Sequence, residues 1–180
     1  ENEIGGTTDV ADRFPGRKRT ATVDGRSITG WFAEDFTLAE IKTLRARERL
    51  PFRSKAYDGQ FQIPTFEEVI VLAQKLGTAR GRPVGIYPET KHPTHFRSIR
   101  LPLEEPLLAS LQKSGWNRRD APVFIQSFEQ GNLRELRKRT QVRLVQLTSA
   151  TEMVEGDGLE KIAEYADGIG AEKRLVVPVN

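Results

Sequence analysis

The sequence predicts an α/β fold built on a parallel sheet. From residue 64 onward, stretches of helical period alternate with short apolar runs in the order α-β-α-β-α-β-α. Strands separated by helices pair through crossovers, which makes them parallel. Length adds a constraint, because 180 residues fit one domain. Three or four legible strands suffice for an open three-layer sheet, whereas a closed (β/α)₈ barrel needs eight and typically about 250 residues.

Residues 1–33 contain Gly5-Gly6, Pro15-Gly16 and Asp24-Gly25 with a basic cluster of Arg17, Lys18 and Arg19. They read as loop with at most a hairpin at Asp24-Gly25. In "DFTLAEIKTL" (35–44), Thr37 followed by Glu40 forms a capping box, and Leu38, Ile41 and Leu44 share one helical stripe. Residues 51–62 are an irregular connection. "IPTFEEVIVLAQKLG" (63–77) repeats the capping signal with Thr65 and Glu68. Phe66, Val69, Ile70, Ala73 and Leu76 form its apolar face, and Gly77 stands where a left-handed helix terminus belongs.

"VGIY" (84–87) reads as a buried strand. "LEEPLLASLQKSG" (103–115) is a helix closed by Gly115, and "PVFIQSF" (122–128) is a strand. A helix at "NLRELRKR" (132–139), a strand at "VRLVQLT" (142–148) and a helix at "GLEKIAEYA" (158–166) follow. "GIGAEKRLVVPV" (168–179) reads as extended, without a decisive period.

Composition narrows the functional classes. With 37% hydrophobic and 29% charged residues the chain is a folding sequence, and its longest apolar runs are too short to span a bilayer. The net charge of +3 comes from interleaved acids and bases. That suits a weak pull on phosphate-bearing small molecules and indicates no nucleic-acid surface. There is no cysteine, which excludes thiolate chemistry, disulfides and Cys-based zinc sites. This fits a periplasmic protein and a cytosolic one nearly equally. The sequence opens without Met and stops just after an apolar run, so both ends read as cut.

The sharpest chemical feature is "GIYPETK" (85–91). A strand has a side-chain period of two, so Tyr87, Glu89 and Lys91 share one face, with Val84, Ile86 and Pro88 on the other. Ligands bind at the C-terminal ends of parallel strands. There a carboxylate suits a divalent cation and an ammonium suits a phosphate. The same spacing serves a surface salt bridge. His92 and His95 are the only histidines, and their spacing across a proline-containing loop is a poor fit to zinc, so they are expected in an exposed loop. Ser127 lacks the G-x-S-x-G turn of a nucleophile. Phe128, at the same strand end, fits an apolar wall over a substrate or ordinary core. Gln126 and Gln146 sit among apolar strand neighbours, which fits a polar barrel interior or exposed edge-strand positions.

Together, "TTDVADRFPGR" (7–17), "DFTLAEIKTL", "PTFEEVI" (64–70), "GIYPETK", "QSF" (126–128) and "EYADGIG" (164–170) resemble the glycerophosphodiester phosphodiesterases, most closely the bacterial periplasmic type. The resemblance spans nearly the whole chain. It implies a (β/α)₈ barrel, here lacking its first and last strands, with residues 1–63 a loop-rich insertion and 64–180 barrel βα units. It implies hydrolysis of substrates such as glycerophosphocholine to glycerol 3-phosphate and an alcohol, with Ca²⁺ or Mg²⁺. Glu89 matches the third of three metal carboxylates, Lys91 a phosphate contact and Phe128 a substrate contact.

The family's His-Arg-Gly strand, E-x-D strand and second histidine would lie upstream of Glu1, which itself stands near the Asp of a His-Asp pair. No catalytic residue is therefore expected within this chain. The expected partner is a small glycerophosphodiester, with no nucleic acid and no membrane span, and the expected location is the periplasm or outside the cell. A non-catalytic phosphodiester-binding relative is the alternative.

Overall fold

The computed structural model describes residues 2–177, so Glu1 and the end of the 168–179 segment lie outside the described residues. The chain divides after Thr65 into two compact units.

The first unit is held by short elements and many polar bonds. After α1 (Val10–Arg13), strands β1 (Arg19–Val23) and β2 (Arg26–Gly30) pair as an antiparallel hairpin. Its two-residue turn is Asp24-Gly25, with φ of 48° and 75°. Two positive φ values give the turn the twist that a hairpin requires. Helix α2 (Leu38–Thr43) opens on the expected capping box: Thr37 accepts from the Glu40 N–H, and the Glu40 carboxylate accepts from the Thr37 N–H at 2.8 Å. Leu44 is buried while Leu38 stays exposed, so the stripe is only partly used. Val10, Phe32 and Leu44 form the buried centre of this unit. Asp9 fastens it, its carboxylate accepting from the Arg45 N–H and from Arg13 Nε, both at 2.7 Å.

The second unit is a parallel sheet with helices. It contains α3 (Phe66–Arg80), α4 (Pro93–Ser98), α5 (Glu104–Lys113), β3 (Phe124–Ser127), α6 (Gln130–Arg137), β4 (Arg143–Thr148), α7 (Gly158–Ala163), β5 (Gly168–Ala171) and α8 (Lys173–Val176). Strands β3, β4 and β5 lie side by side in that order, all parallel. Ile125 and Leu144 point to the covered face, where they join Ile70, Leu111, Leu133, Leu136 and Ile162 from the helices in one core. Phe124, Gln126 and Phe128 alternate to the other face and stay outside this core. All helices in the core therefore cover one face of the sheet. This excludes the three-layer arrangement among the described residues, and no closed barrel is formed by them.

Several sequence expectations are corrected. The 84–87 run is not a continuous strand. It makes two parallel bridges to the β3 side, Ile86 with Val123 and Glu89 with Gln126, in one constant register. Ile86 donates to Pro122 O and Pro88 O accepts from Gln126, but Pro88 has no N–H to complete the ladder between the bridges. Nor is the run buried on both faces: Val84, Ile86 and Pro88 are half-buried, whereas Tyr87 is 49% exposed.

Helix α3 does not stop at Gly77; it runs on to Arg80, and Gly81 with φ 62° ends it. The described part of the 168–179 segment forms β5 and then α8. Gln146 does not line the open face, because its register opposite Ser127 turns it to the helix side, where it is fully buried. Among the described residues, no helix is long and apolar enough to cross a membrane.

Candidate active site

The open face at the C-terminal end of the sheet collects the predicted residues. Glu89 and Lys91 project from the end of the 84–90 segment, two residues apart and on one side. Glu89 Oε1 lies 3.7 Å from Lys91 Nζ, with side-chain exposures of 29% and 35%. That is a loose ion pair, its charges beyond hydrogen-bond distance and both partly open to solvent. Phe128, at the end of neighbouring β3, is 55% exposed. Gln126, between them on the same face, donates Nε2 to Tyr87 O at 3.3 Å. Tyr87 lies one pleat below Glu89 and meets the Phe124 ring edge-on at 6.1 Å. Burial of the Tyr87 phenol raises its pKa, keeping it a neutral donor.

The backs of these turns are tied together by residues that sequence reasoning passed over. Thr90 separates Glu89 from Lys91 and faces the helix side, nearly fully buried. Its N–H donates to Gln126 O at 3.0 Å, and its carbonyl accepts from Ser127 Oγ at 3.1 Å. Its hydroxyl donates to Asn132 Oδ1 at 2.6 Å. Asn132 Nδ2 in turn donates to the buried carboxylate of Glu104 at 2.7 Å, which also accepts from Arg97 at 2.7 Å.

Ser127 is thus a brace between two strand ends, not a nucleophile, and its Oγ also accepts from the Glu129 N–H at 3.2 Å. Glu129 takes the hydroxyl of Thr94 at the start of α4. The signal for Thr90 was present, since alternation puts it opposite Glu89. A buried threonine at a strand end needs a partner.

His92 and His95 are not in an exposed loop. His92 sits half-buried in the left-handed region, φ 54°, just before α4, and His95 lies within α4 with its ring against Phe96. Among the described residues no group of three or more histidines or carboxylates comes together as a metal site. As a test of fit for a divalent cation, Glu89 offers one hard oxygen donor on an open face, and among the described residues it belongs to no cluster of three or more histidines and carboxylates.

The family model described as "Glycerophosphoryl diester phosphodiesterase family" matches residues 2–178. Among curated relatives, "Glycerophosphodiester phosphodiesterase GDPD6" of Arabidopsis thaliana is 36% identical over 200 residues, covering 97% of this chain and 53% of the relative. "Glycerophosphodiester phosphodiesterase" of Treponema pallidum is 28% identical, covering 94% of this chain and 56% of its own length. The protein of the same name from Haemophilus influenzae is 28% identical, covering 93% and 54%. The chain therefore spans about half the length of the curated relatives it matches. Among these three the plant protein has the higher identity, so the comparisons do not single out a bacterial branch. A match from the second residue almost to the last, with the E-x-K pair held on one open strand end, leads to one conclusion: the chain belongs to the glycerophosphoryl diester phosphodiesterase family.

Proposed function

We propose that this chain supplies part of the catalytic centre of an enzyme that hydrolyses glycerophosphodiesters, such as glycerophosphocholine, to glycerol 3-phosphate and an alcohol. The observation that carries this reading is the pairing of Glu89 and Lys91 at 3.7 Å on the open face, within a chain of this family. In this reading the sheet is a sector of a (β/α)₈ barrel, and the remaining catalytic groups, including both histidines, come from sequence preceding residue 1.

Glu89 is one ligand of a divalent cation, Ca²⁺ or Mg²⁺. When bound, the cation neutralises charge on the non-bridging phosphate oxygens. Lys91 meets the same phosphate as a compact point charge whose three donors rotate to the oxygens. Phe128 covers the substrate's carbon skeleton from the next strand end and thins the water there. Gln126, held to Tyr87 O, keeps that floor polar and fixed. A periplasmic or secreted location belongs to the same reading and rests only on the motifs' likeness to the bacterial periplasmic type.

The test is Glu89→Gln in the full-length protein, with release of glycerol 3-phosphate from glycerophosphocholine measured across a cation titration. The substitution removes a charge without changing volume, so turnover should nearly vanish while the melting temperature holds. Near-normal turnover at saturating cation would sink the assignment. The same assay separates an enzyme from a non-catalytic phosphodiester-binding relative, which would bind substrate and release nothing.

A further inference from the structure

Glu104 is fully buried, and it pairs with Arg97, whose side chain is more than half exposed. Burying a carboxylate is costly unless it is paired and hydrogen-bonded. Its second bonded partner is the amide of Asn132, itself buried, and Asn132 passes the connection to Thr90. A chain of four side chains, Arg97, Glu104, Asn132 and Thr90, thus runs from the surface to the residue between Glu89 and Lys91. It ends on a residue whose N–H, carbonyl and hydroxyl are all engaged. With those three groups fixed, the peptide planes on both sides of Thr90 are fixed too. The directions in which Glu89 and Lys91 leave the strand follow from them.

We propose that Thr90 and Asn132, anchored on Glu104, are positioning residues that set Glu89 and Lys91 for the cation and phosphate. The strand ladder grips Glu89 through Gln126 alone, which bonds Pro88 O and the Thr90 N–H, because the missing Pro88 N–H breaks the run below it. The Thr90 hydroxyl adds a second hold from the opposite face. Outer-shell partners of this kind typically matter about ten- to a hundredfold for metal affinity.

The proposal rests on Glu89 as a cation ligand, and the experiment separates the two. In the full-length protein, binding of Ca²⁺ and of Mg²⁺ is titrated calorimetrically for wild type, Glu89→Gln, Thr90→Val, Thr90→Ser and Asn132→Leu. Melting temperature and glycerophosphocholine turnover are recorded alongside. Thr90→Val keeps the shape and loses only the hydroxyl, so it should weaken the cation about tenfold. Thr90→Ser should restore wild-type affinity, and adding Asn132→Leu to Thr90→Val should add little, since both break one chain.

A Thr90→Val protein that melts earlier but binds the cation normally would show a packing role only and overturn the positioning. If Asn132→Leu does not fold, the Thr90 pair decides alone. A normal affinity in Glu89→Gln, or a wild-type protein that binds neither cation, overturns the ligand role and the positioning together. A weakened Glu89→Gln beside a normal Thr90→Val overturns the positioning alone.

Discussion

Tyr165 donates its hydroxyl to Oε1 of Gln146 at 3.0 Å, and the two residues are only 3% and 0% exposed. The Gln146 amide then donates Nε2 to Phe128 O at 2.9 Å and to Leu147 O at 2.8 Å. One buried side chain on β4 therefore holds the strand end from which Phe128 rises, and α7's trailing tyrosine holds that side chain. Burial pushes the Tyr165 phenol's pKa up, so it remains a donor through the physiological range.

Tyr165→Phe should destabilise the protein by roughly 1–3 kcal/mol, because a buried amide oxygen is left without its donor. Gln146→Leu should cost more, since it also abandons the Phe128 and Leu147 carbonyls. Urea unfolding of the two variants and the wild type checks the order. Equal stability for all three would mean that water replaces the tyrosine without loss.

Lys91→Met should lower kcat/KM of the full-length protein by about a hundredfold or more, the scale seen when a preorganised electrostatic donor is removed. Lys91→Arg should not restore it. The guanidinium keeps the charge but presents a planar fork where a point charge is needed. Full turnover in the arginine variant would reduce Lys91 to a surface partner of Glu89.

Gly170 on β5 faces Leu147 and Tyr87 across the open side of the sheet. A Cβ there would lie 2.5 Å from Leu147 Cδ2 and 3.7 Å from the Tyr87 hydroxyl. Leu147 can swing its tip away, so Gly170→Ala should be mild. Gly170→Val should cost about 1–3 kcal/mol by overpacking. Thermal unfolding separates the two, and a valine variant as stable as wild type would show that this face yields freely.

Acid should weaken the first unit through Glu40. Arg17, bonded to its carboxylate at 2.6 Å, and the Thr37 N–H hold its pKa down at about 2, against 4.5 for a free glutamate. A pKa lower in the folded state means stability that is complete above about 4.5 and lost as pH falls towards 2. The stability difference between wild type and Glu40→Gln should therefore be widest near neutrality and close between pH 4.5 and 2. Denaturant midpoints across that range test it, and a constant difference would contradict the assignment.

Legibility in the sequence followed the locality of the cause. The Thr37–Glu40 box, the Asp24-Gly25 turn and the alternation of β3, α6, β4 and α7 depend on neighbours within a few residues, and all appear as read. Gly77 misled because a glycine near the end of an apolar stripe looks like a terminus, while the residue that turns left-handed is Gly81. Gln146 misled because the sidedness of a strand cannot be fixed without its register, and one step of register exchanges the two faces. The Glu89–Lys91 pair was visible because a period of two is enough to unite them. The Thr90–Asn132–Glu104 connection was not, since its members lie on three elements that only the fold brings together.

Pro88 has a consequence for motion as well as for bonding. Without its N–H, the 84–90 segment is bonded to the β3 side in two groups, at Ile86 below and, through Gln126, at Pro88 O and the Thr90 N–H above. Each can open without breaking the other, so amide exchange at Thr90 should report the turn that carries the candidate site, while exchange at Ile86 should follow the sheet. The strand end becomes a small cooperative unit of its own, closed by side chains. Its breathing can be slowed or quickened at Thr90 and Asn132 without loosening the floor beneath it.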